Sequence, residues 1–433
     1  MHRSDDPVAL MAVSFSMSTP SPSGRSALIL IPALLASLSM LGPFSIDTPL
    51  PAFKEMAGAL SVTSAEMQYV ISAYMLAFAL MSPFHGPISD ALGRKPVMIT
   101  GVALYVLASL GCVLSTSLEM LLFFRVCQGL SAGGGVIVSR TVIRDLYDGA
   151  DAQRLMSRVM LIFSVAPAIA PIIGGWLLTV GDWRVIFGFM AAYAAIVALV
   201  ITVALPESHP PEARLPFAVR PIVGSLIHVS RNAAFHRVSW AGAFTFAGQF
   251  VYVSGASIFL VDLLGKGEQD FWLLFVPMIG GLVLGSWFAG RTAGRIPGRS
   301  LVTACLCVSL AGAVIAVILG VLPTAETWPS AVVGPTLIAV GTGASYPITQ
   351  LILLDMFPAE RGAAVSMFTF LTLLTNGLIA SLVIPHVTDS VLHLAITSLV
   401  MVVLGFAAWC WHLATSVEPV PITPDLEAHE PEV

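Results

Sequence analysis

Charge is scarce in this chain of 433 residues: Asp, Glu, Lys and Arg together make up 10%, against 57% apolar residues. A soluble domain is about 25% charged, so this scarcity excludes an ordinary water-soluble protein; the mean hydropathy of +0.89 agrees. Cysteine is sparse too. The five present (Cys112, Cys127, Cys305, Cys307, Cys410) all fall inside apolar runs. Cys305 and Cys307, two apart, lie on different helix faces, so they form neither a CxxC pair nor a metal clip and read as buried structural thiols. His85, His386 and His393 have no metal-like partners at suitable spacing. No GxxxxGKS or GxxxxGKT is present, so ATP does not drive this chain directly. The net charge of −5 includes an acidic C-terminal tail, and no basic patch points to nucleic acid. GLSAG at 129–133 has the spelling of a nucleophile elbow, which needs a strand-to-helix turn. Within an apolar helix it reads instead as Gly129 and Gly133 on one close-packing face, and no enzyme is implied. A membrane sensor is disfavoured because no sizeable soluble domain is there to carry an output.

What the chain has is long apolar runs. Spanning a bilayer takes about 20 such residues in a helix. Twelve runs qualify, near 27–46, 66–88, 97–115, 118–140, 155–180, 183–204, 237–261, 271–290, 301–322, 330–354, 363–384 and 392–413. Helices are expected because lipid cannot satisfy backbone hydrogen bonds, and no series of short alternating segments suggests a barrel. The fold class is therefore an all-α polytopic membrane protein. With the N-terminus cytoplasmic, all of the 20 Lys and Arg except Lys54, Arg125, Arg184 and Lys266 fall on the cytoplasmic side. That bias places both termini inside and requires an even number of spans.

The longest polar interruption, PESHPPEARLPFAVRP at 206–221, leaves six runs on each side. Residues 1–26 are then a flexible cytoplasmic tail with no secretory signal, and 27–205 a first six-helix bundle. Residues 206–236 are a cytoplasmic linker, 237–413 a second bundle, and 414–433 an acidic cytoplasmic tail. In the second half AGRTAGRIPGRS repeats faintly a stretch of the first: Gly294-Arg295 echoes Gly93-Arg94, with Arg291 where Asp90 would be. Duplication with a site between the halves is the arrangement of secondary transporters.

The stretch echoed is GPISDALGRKPV at 86–97, which concentrates Asp90, Arg94 and Lys95 in a chain that otherwise avoids charge. Gly86 permits close approach of a neighbouring backbone, and Asp90 offers an acceptor to helix N–H groups or to Arg94. Read alone, these charges could equally do no more than hold the loop in the cytoplasm. The order G-x-x-x-D-x-x-G-R-K between the second and third runs resembles the signature loop of the major facilitator superfamily, matched by Gly86, Asp90, Gly93, Arg94 and Lys95; Ala91 stands where many members carry Arg. LLFFRVCQG at 121–129 resembles the fourth-span motif of proton-coupled members, through Arg125, Gln128 and Gly129. APAIAPIIGGWL at 166–177 resembles the fifth-span antiporter motif, through Pro171, Gly174 and Gly175, with Ala170 replacing its usual Gly. Pro167 and Pro171 each remove a helix hydrogen bond, and Gly174-Gly175 offers a close-packing face; by themselves they describe only a kinked helix. SIDTPLPAF at 45–53, GDWRVIF at 181–187 and the LPES that ends the sixth run resemble the bicyclomycin/chloramphenicol-resistance branch of twelve-span drug:proton antiporters.

The resemblance covers most of 27–413 and implies two six-helix bundles in a bacterial inner membrane. It implies a monomer that exports small drug-like molecules, draws on the proton gradient and needs no cofactor or metal. It also implies that the 86–95 loop latches against Glu360-Arg361-Gly362-Ala363-Ala364 in the outward-open state.

A charge at a helix centre costs about 2.5–3.5 kcal/mol on insertion scales, which singles out Asp47 and Arg125. Asp47 ends the first span, and Arg125 lies about two turns into the fourth from the same side, so the two could meet. Asp47 could also be an interfacial helix cap, and Arg125 could snorkel outward. The family resemblance makes Asp47 the proton carrier and Arg125 its tuning partner. Coupling would need burial to raise the Asp47 pKa from about 3.9 in one state. Glu119, Asp262 and Asp355 read as span-end residues. With one acid offset by one base, the cavity suits neutral or zwitterionic compounds, and the substrate could also be an endogenous metabolite. Its lining is expected to include Tyr74, Phe246, Gln249, Tyr252, Tyr346, Gln350 and Asn376. One proton entering per neutral molecule leaving could sustain a gradient of roughly 300-fold from about 150 mV alone.

Overall fold

The computed structural model describes residues 27–415 except 148, 215, 216, 293, 294, 359 and 388. The two tails, Gly294 of the internal echo and part of the expected linker lie outside the described residues. Those described are helical throughout, with no strand among them. The first half comprises α1 (Ala27–Asp47), a short α2 (Phe53–Leu60), α3 (Gln68–Leu92), α4 (Arg94–Val113), α5 (Leu118–Leu146), α6 (Gly149–Leu177) and α7 (Arg184–Ala204). After α8 (Val219–Ser230) come α9 (Ala233–Ser254), α10 (Trp272–Thr292), α11 (Gly298–Val321), α12 (Ser330–Met356), α13 (Arg361–Leu378) and α14 (Val391–Thr415). Among the described residues ten stretches are long and apolar enough to cross a membrane; α6 carries the apolar segment Val165–Leu177, and α9 is not among the ten.

Local chemistry sets where these helices begin. Thr63 and Glu66 form a reciprocal capping box ahead of α3, Thr63 N donating to Glu66 Oε2 and Glu66 N to Thr63 Oγ1. Ser117 accepts from Met120 N to open α5, and Asn232 accepts from Ala234 N and Phe235 N to open α9. Between α3 and α4 there is one residue, Gly93, at φ 98° and ψ 152°. That region of backbone space is essentially glycine's alone, which is why the chain can reverse there without a longer loop.

Helix α5 is the hub of the first half. Its Gly129 lies against Tyr74 O and Ala77 of α3, Gly133 against His85 of α3, and Gly134 against Gly101 of α4. GLSAG is thus a packing face in mid-helix, and His85 is a structural imidazole set on the Met81 carbonyl at 2.9 Å. In the second half α12 packs on α10 and α11, and α9 on α14. Exposed Leu107, Leu199, Val203, Trp287, Ile318 and Trp411 lie outside these contacts, as a lipid-facing surface requires.

The halves meet along α3–α13 and α6–α10. At the end of the bundle where α1 finishes they are tied directly. Lys54 Nζ lies 3.8 Å from Asp262 Oδ1, Ser254 Oγ donates to Gln68 Oε1 at 2.9 Å, and Gly377 packs on Leu76. Widened π-helical turns, Ile258–Leu263 after α9 and Ile379–Val383 after α13, sit at this junction.

Candidate functional site

Arg125, fully buried on α5, forks into three helices' worth of acceptors. Its Nε donates to Val70 O at 2.9 Å, Nη1 to Gln128 Oε1 at 2.8 Å and Nη2 to Ser45 O at 2.8 Å. Its guanidinium stands 4.7 Å from the centroid of the Tyr74 ring. The Ser45 carbonyl is open to it for a covalent reason: the residue four positions on is Pro49, which has no N–H to give. Gln128 Nε2 continues the network to Ser109 Oγ at 2.7 Å, and Ser45 Oγ pairs with Tyr105 OH at 2.5 Å. One polar chain therefore joins α1, α3, α4 and α5 inside the first half.

Asp47 is 3% exposed, and its Oδ1 has no hydrogen-bond partner. The depth argument anticipated contact with Arg125; the two lie in one region, but no ion pair joins them, because Arg125's donors go to the three acceptors above. Neither simpler reading describes them. Arg125 is 0% exposed and does not snorkel, and the short helical turn after Asp47 (Leu50–Ala52) has no side-chain cap. Thr48 Oγ1 and Tyr74 OH, beside Asp47, are likewise unpartnered.

The 86–95 loop is held together from within its own half. Arg94, buried, pairs with Asp90, donates through Nη1 to Ser89 Oγ at 2.7 Å and through Nε to Asp145 Oδ2 at 3.0 Å. The Glu207 carboxylate, just past α7, accepts from Arg94 N at 3.0 Å and Lys95 N at 3.3 Å, filling the α4 N-terminus with the negative charge its dipole favours. Lys95 Nζ reaches Thr202 O at 2.9 Å. Among the described residues no hydrogen bond or ion pair joins 86–95 to 360–364, and a Cβ on Gly86 or Gly362 would meet nothing within 4 Å. Pro167 and Pro171 lie within α6. Gly174 sits on Thr48 O and Pro51 within its own half, while Gly175 sits on Glu268 O of the other half, so the second of the two glycines packs at the junction.

Of the expected cavity residues, the structure gathers Phe246 and Tyr346 with Phe368, at 5.2 Å and 4.9 Å between ring centroids. Gln249 Oε1 and both side-chain polar atoms of Asn376 are buried without partners. Tyr252 is buried edge-on to Phe259 at 5.6 Å, and Gln350 is half-buried one turn beyond Tyr346. Buried polar groups are normally hydrogen-bonded, so these unpartnered atoms, with Asp47, Thr48 and Tyr74 in the first half, set these positions apart. Sequence reasoning missed Phe368, Ser345 and the Lys54–Asp262 tie; an acid at the end of one span and a lysine in the first loop were the available signal.

Two facing helical bundles with an orphan-lined interior and a lipid-facing exterior define a membrane carrier. The model of the Major Facilitator Superfamily matches residues 35–380, and the chain belongs to that family of transporters. It is 34% identical over 284 residues to an uncharacterized MFS-type transporter, YdgK, of Bacillus subtilis, covering 65% of this chain and 70% of the relative. It is 28% identical to multidrug resistance protein D of Escherichia coli and 26% identical to a bicyclomycin resistance protein homolog of Haemophilus influenzae, each covering 87% of this chain and 94% of the relative. Among solved structures, a bacterial homolog of the human lysosomal transporter Spinster aligns with a TM-score of 0.69 at 16% identity, over 92% of this chain and 100% of that one. A D-xylose–proton symporter aligns at 0.67 and 15%, over 89% and 97%.

Proposed function

We propose that this transporter exports small drug-like compounds, neutral or zwitterionic and of the phenicol or bicyclomycin type, in exchange for protons. The relatives named for bicyclomycin and multidrug resistance support the cargo class. The observation that carries proton coupling is the Asp47 carboxylate, buried with an unpartnered oxygen beside an arginine committed elsewhere. A carboxylate oxygen left without a donor is free to take a proton where water reaches it and to lose it where the surroundings change. In this reading α6 and α9 bring the spans to twelve, the termini face the cytoplasm of a bacterial inner membrane, and a monomer works on the proton gradient without a cofactor. The end tied by Lys54–Asp262 is then the outer one, closed, and the 86–95 latch stands disengaged at the inner one. Cargo enters from inside, a proton reaches Asp47 from outside after the halves rock, and the proton leaves inward.

The test is drug accumulation in cells lacking their own efflux pumps, with intact protein and Asp47→Asn, with and without an uncoupler. Lowered accumulation of chloramphenicol or bicyclomycin that both the substitution and the uncoupler abolish is the expected result. Normal export by Asp47→Asn removes Asp47 from the mechanism, and no export of any drug by well-expressed protein points to a metabolite as cargo.

A further inference from the structure

Arg140 is the one guanidinium of the α5 interior that the mechanism above does not use. It lies fifteen residues past Arg125, about 22 Å along the helix and therefore toward the opposite mouth. The contrast with Arg125 is in partners. Arg140 Nε is shut off from solvent and has no acceptor, and no carboxylate pairs with the side chain among the described residues. Its Cζ stands 5.4 Å from the centroid of the Phe163 ring of α6. On the other half, close enough for their charges to interact, is Tyr346. That ring makes tilted contacts with Phe246 and Phe368, and its hydroxyl has only a long contact, 3.5 Å, to Thr372 Oγ1. Beside it Ser345 Oγ is buried and unpartnered.

Such an arrangement has a chemical complement. Arg140 is half-buried and its Nε is sealed off without an acceptor, and a carboxylate that accepts two parallel N–H bonds from the guanidinium would supply that acceptor. The rings on either wall offer faces to a flat apolar body. We propose that Arg140, with Phe163 on its own half and Tyr346 on the other, forms an anion subsite that takes aromatic carboxylates from the inner mouth. It rests on the reading of this interior as an export cavity, and it extends the cargo from neutral and zwitterionic compounds to aryl anions, whose exit the inside-negative potential favours. Asp47 serves the proton at the far end; Arg140 holds the negative group of the cargo.

The test is equilibrium binding to the purified full-length protein in detergent, with 2-naphthoate against its neutral isostere 2-naphthamide. Intact protein should bind the carboxylate about tenfold more tightly than the amide, the worth of one charge-assisted pair. Arg140→Gln should erase the preference while leaving amide binding unchanged, Arg140→Lys should keep part of it, and Arg144→Gln, which removes a neighbouring positive charge, should keep all of it. Equal binding of the two probes by intact protein, binding of neither, or a preference that survives Arg140→Gln overturns the proposal. Because binding is read without transport, the subsite and the drug-export reading separate: a carboxylate preference that depends on Arg140 stands even if no antibiotic is exported, and antibiotic export without that preference overturns the subsite alone.

Discussion

Arg125 donates to the main-chain carbonyl of Ser45, while Asp47, two residues further along the same helix, keeps an unpartnered oxygen. The two charges thus have different structural weight. Removing Arg125 orphans Ser45 O and breaks its interhelical bonds to Ser45 O and Val70 O, and interhelical hydrogen bonds in membrane proteins contribute about 0.6–2 kcal/mol each. Arg125→Ala should therefore lower the melting temperature of the detergent-solubilised protein clearly, and Asp47→Asn should not. Equal losses in the two variants would make Asp47 a structural residue.

Gly93 holds a backbone conformation that costs a side-chain-bearing residue about 1–3 kcal/mol, and Arg214 and Glu207 occupy the space where its Cβ would go. Gly93→Ala should lower thermal stability by a comparable amount. Adding Arg214→Ala clears part of the space but leaves the dihedral cost, so it should restore only a fraction. Full recovery in the double variant would assign the effect to crowding alone.

Asn376 buries both its side-chain polar atoms, and Gln249 its Oε1, without hydrogen-bond partners. Replacing a buried orphan by an apolar group removes a desolvation penalty of about 1–3 kcal/mol. Asn376→Leu and Gln249→Leu are expected to leave the melting temperature unchanged or higher while reducing export. A loss of stability in step with export would show that these side chains hold the fold and not the cargo.

At the tied end, burial pushes the Glu268 carboxyl up from its ordinary value, with repulsion from Glu55 adding to the rise and Lys54 opposing it. The raised value belongs to the closed arrangement. Closure is therefore fully favoured below the ordinary carboxylate range and loses that support as pH rises through the raised value. Spin labels at Ala59 and Gln269 should report a growing fraction of separated ends as pH rises across that window, and Glu268→Gln should flatten the response. An unchanged pH response in Glu268→Gln places the titrating group elsewhere.

The spans were legible in the sequence because a bilayer demands long apolar runs, and α1, α7 and α12 begin and end within a few residues of the runs that announce them. Helix α9 starts earlier than its run, at Ala233, because Asn232 caps it ahead of the first apolar stretch. Polar residues are tolerated in α9, which is also why it falls short of the apolarity of the other spans. Helices α2 and α8 were read as loop: each is too short to announce itself by a long run, although α8 has apolar residues at helical spacing. The π-helical turns leave no compositional trace. At the site, Asp47 and Arg125 stood out because lipid makes charge conspicuous. Arg125's true partners did not, since two of the three are main-chain carbonyls that any residue could supply. Arg140 was counted with the inner-side charges, being near the end of α5 in sequence; only its sealed Nε without an acceptor sets it apart.

The orphan atoms of Gln249, Ser345 and Asn376 have a further consequence. None of them is fixed by a neighbour, so the interior dictates no single pattern of donors and acceptors to its occupant. In the proposed reading, one exchange at such a position would alter which molecules are accepted and leave the Arg125 scaffold intact. Cargo preference and proton coupling would then change independently.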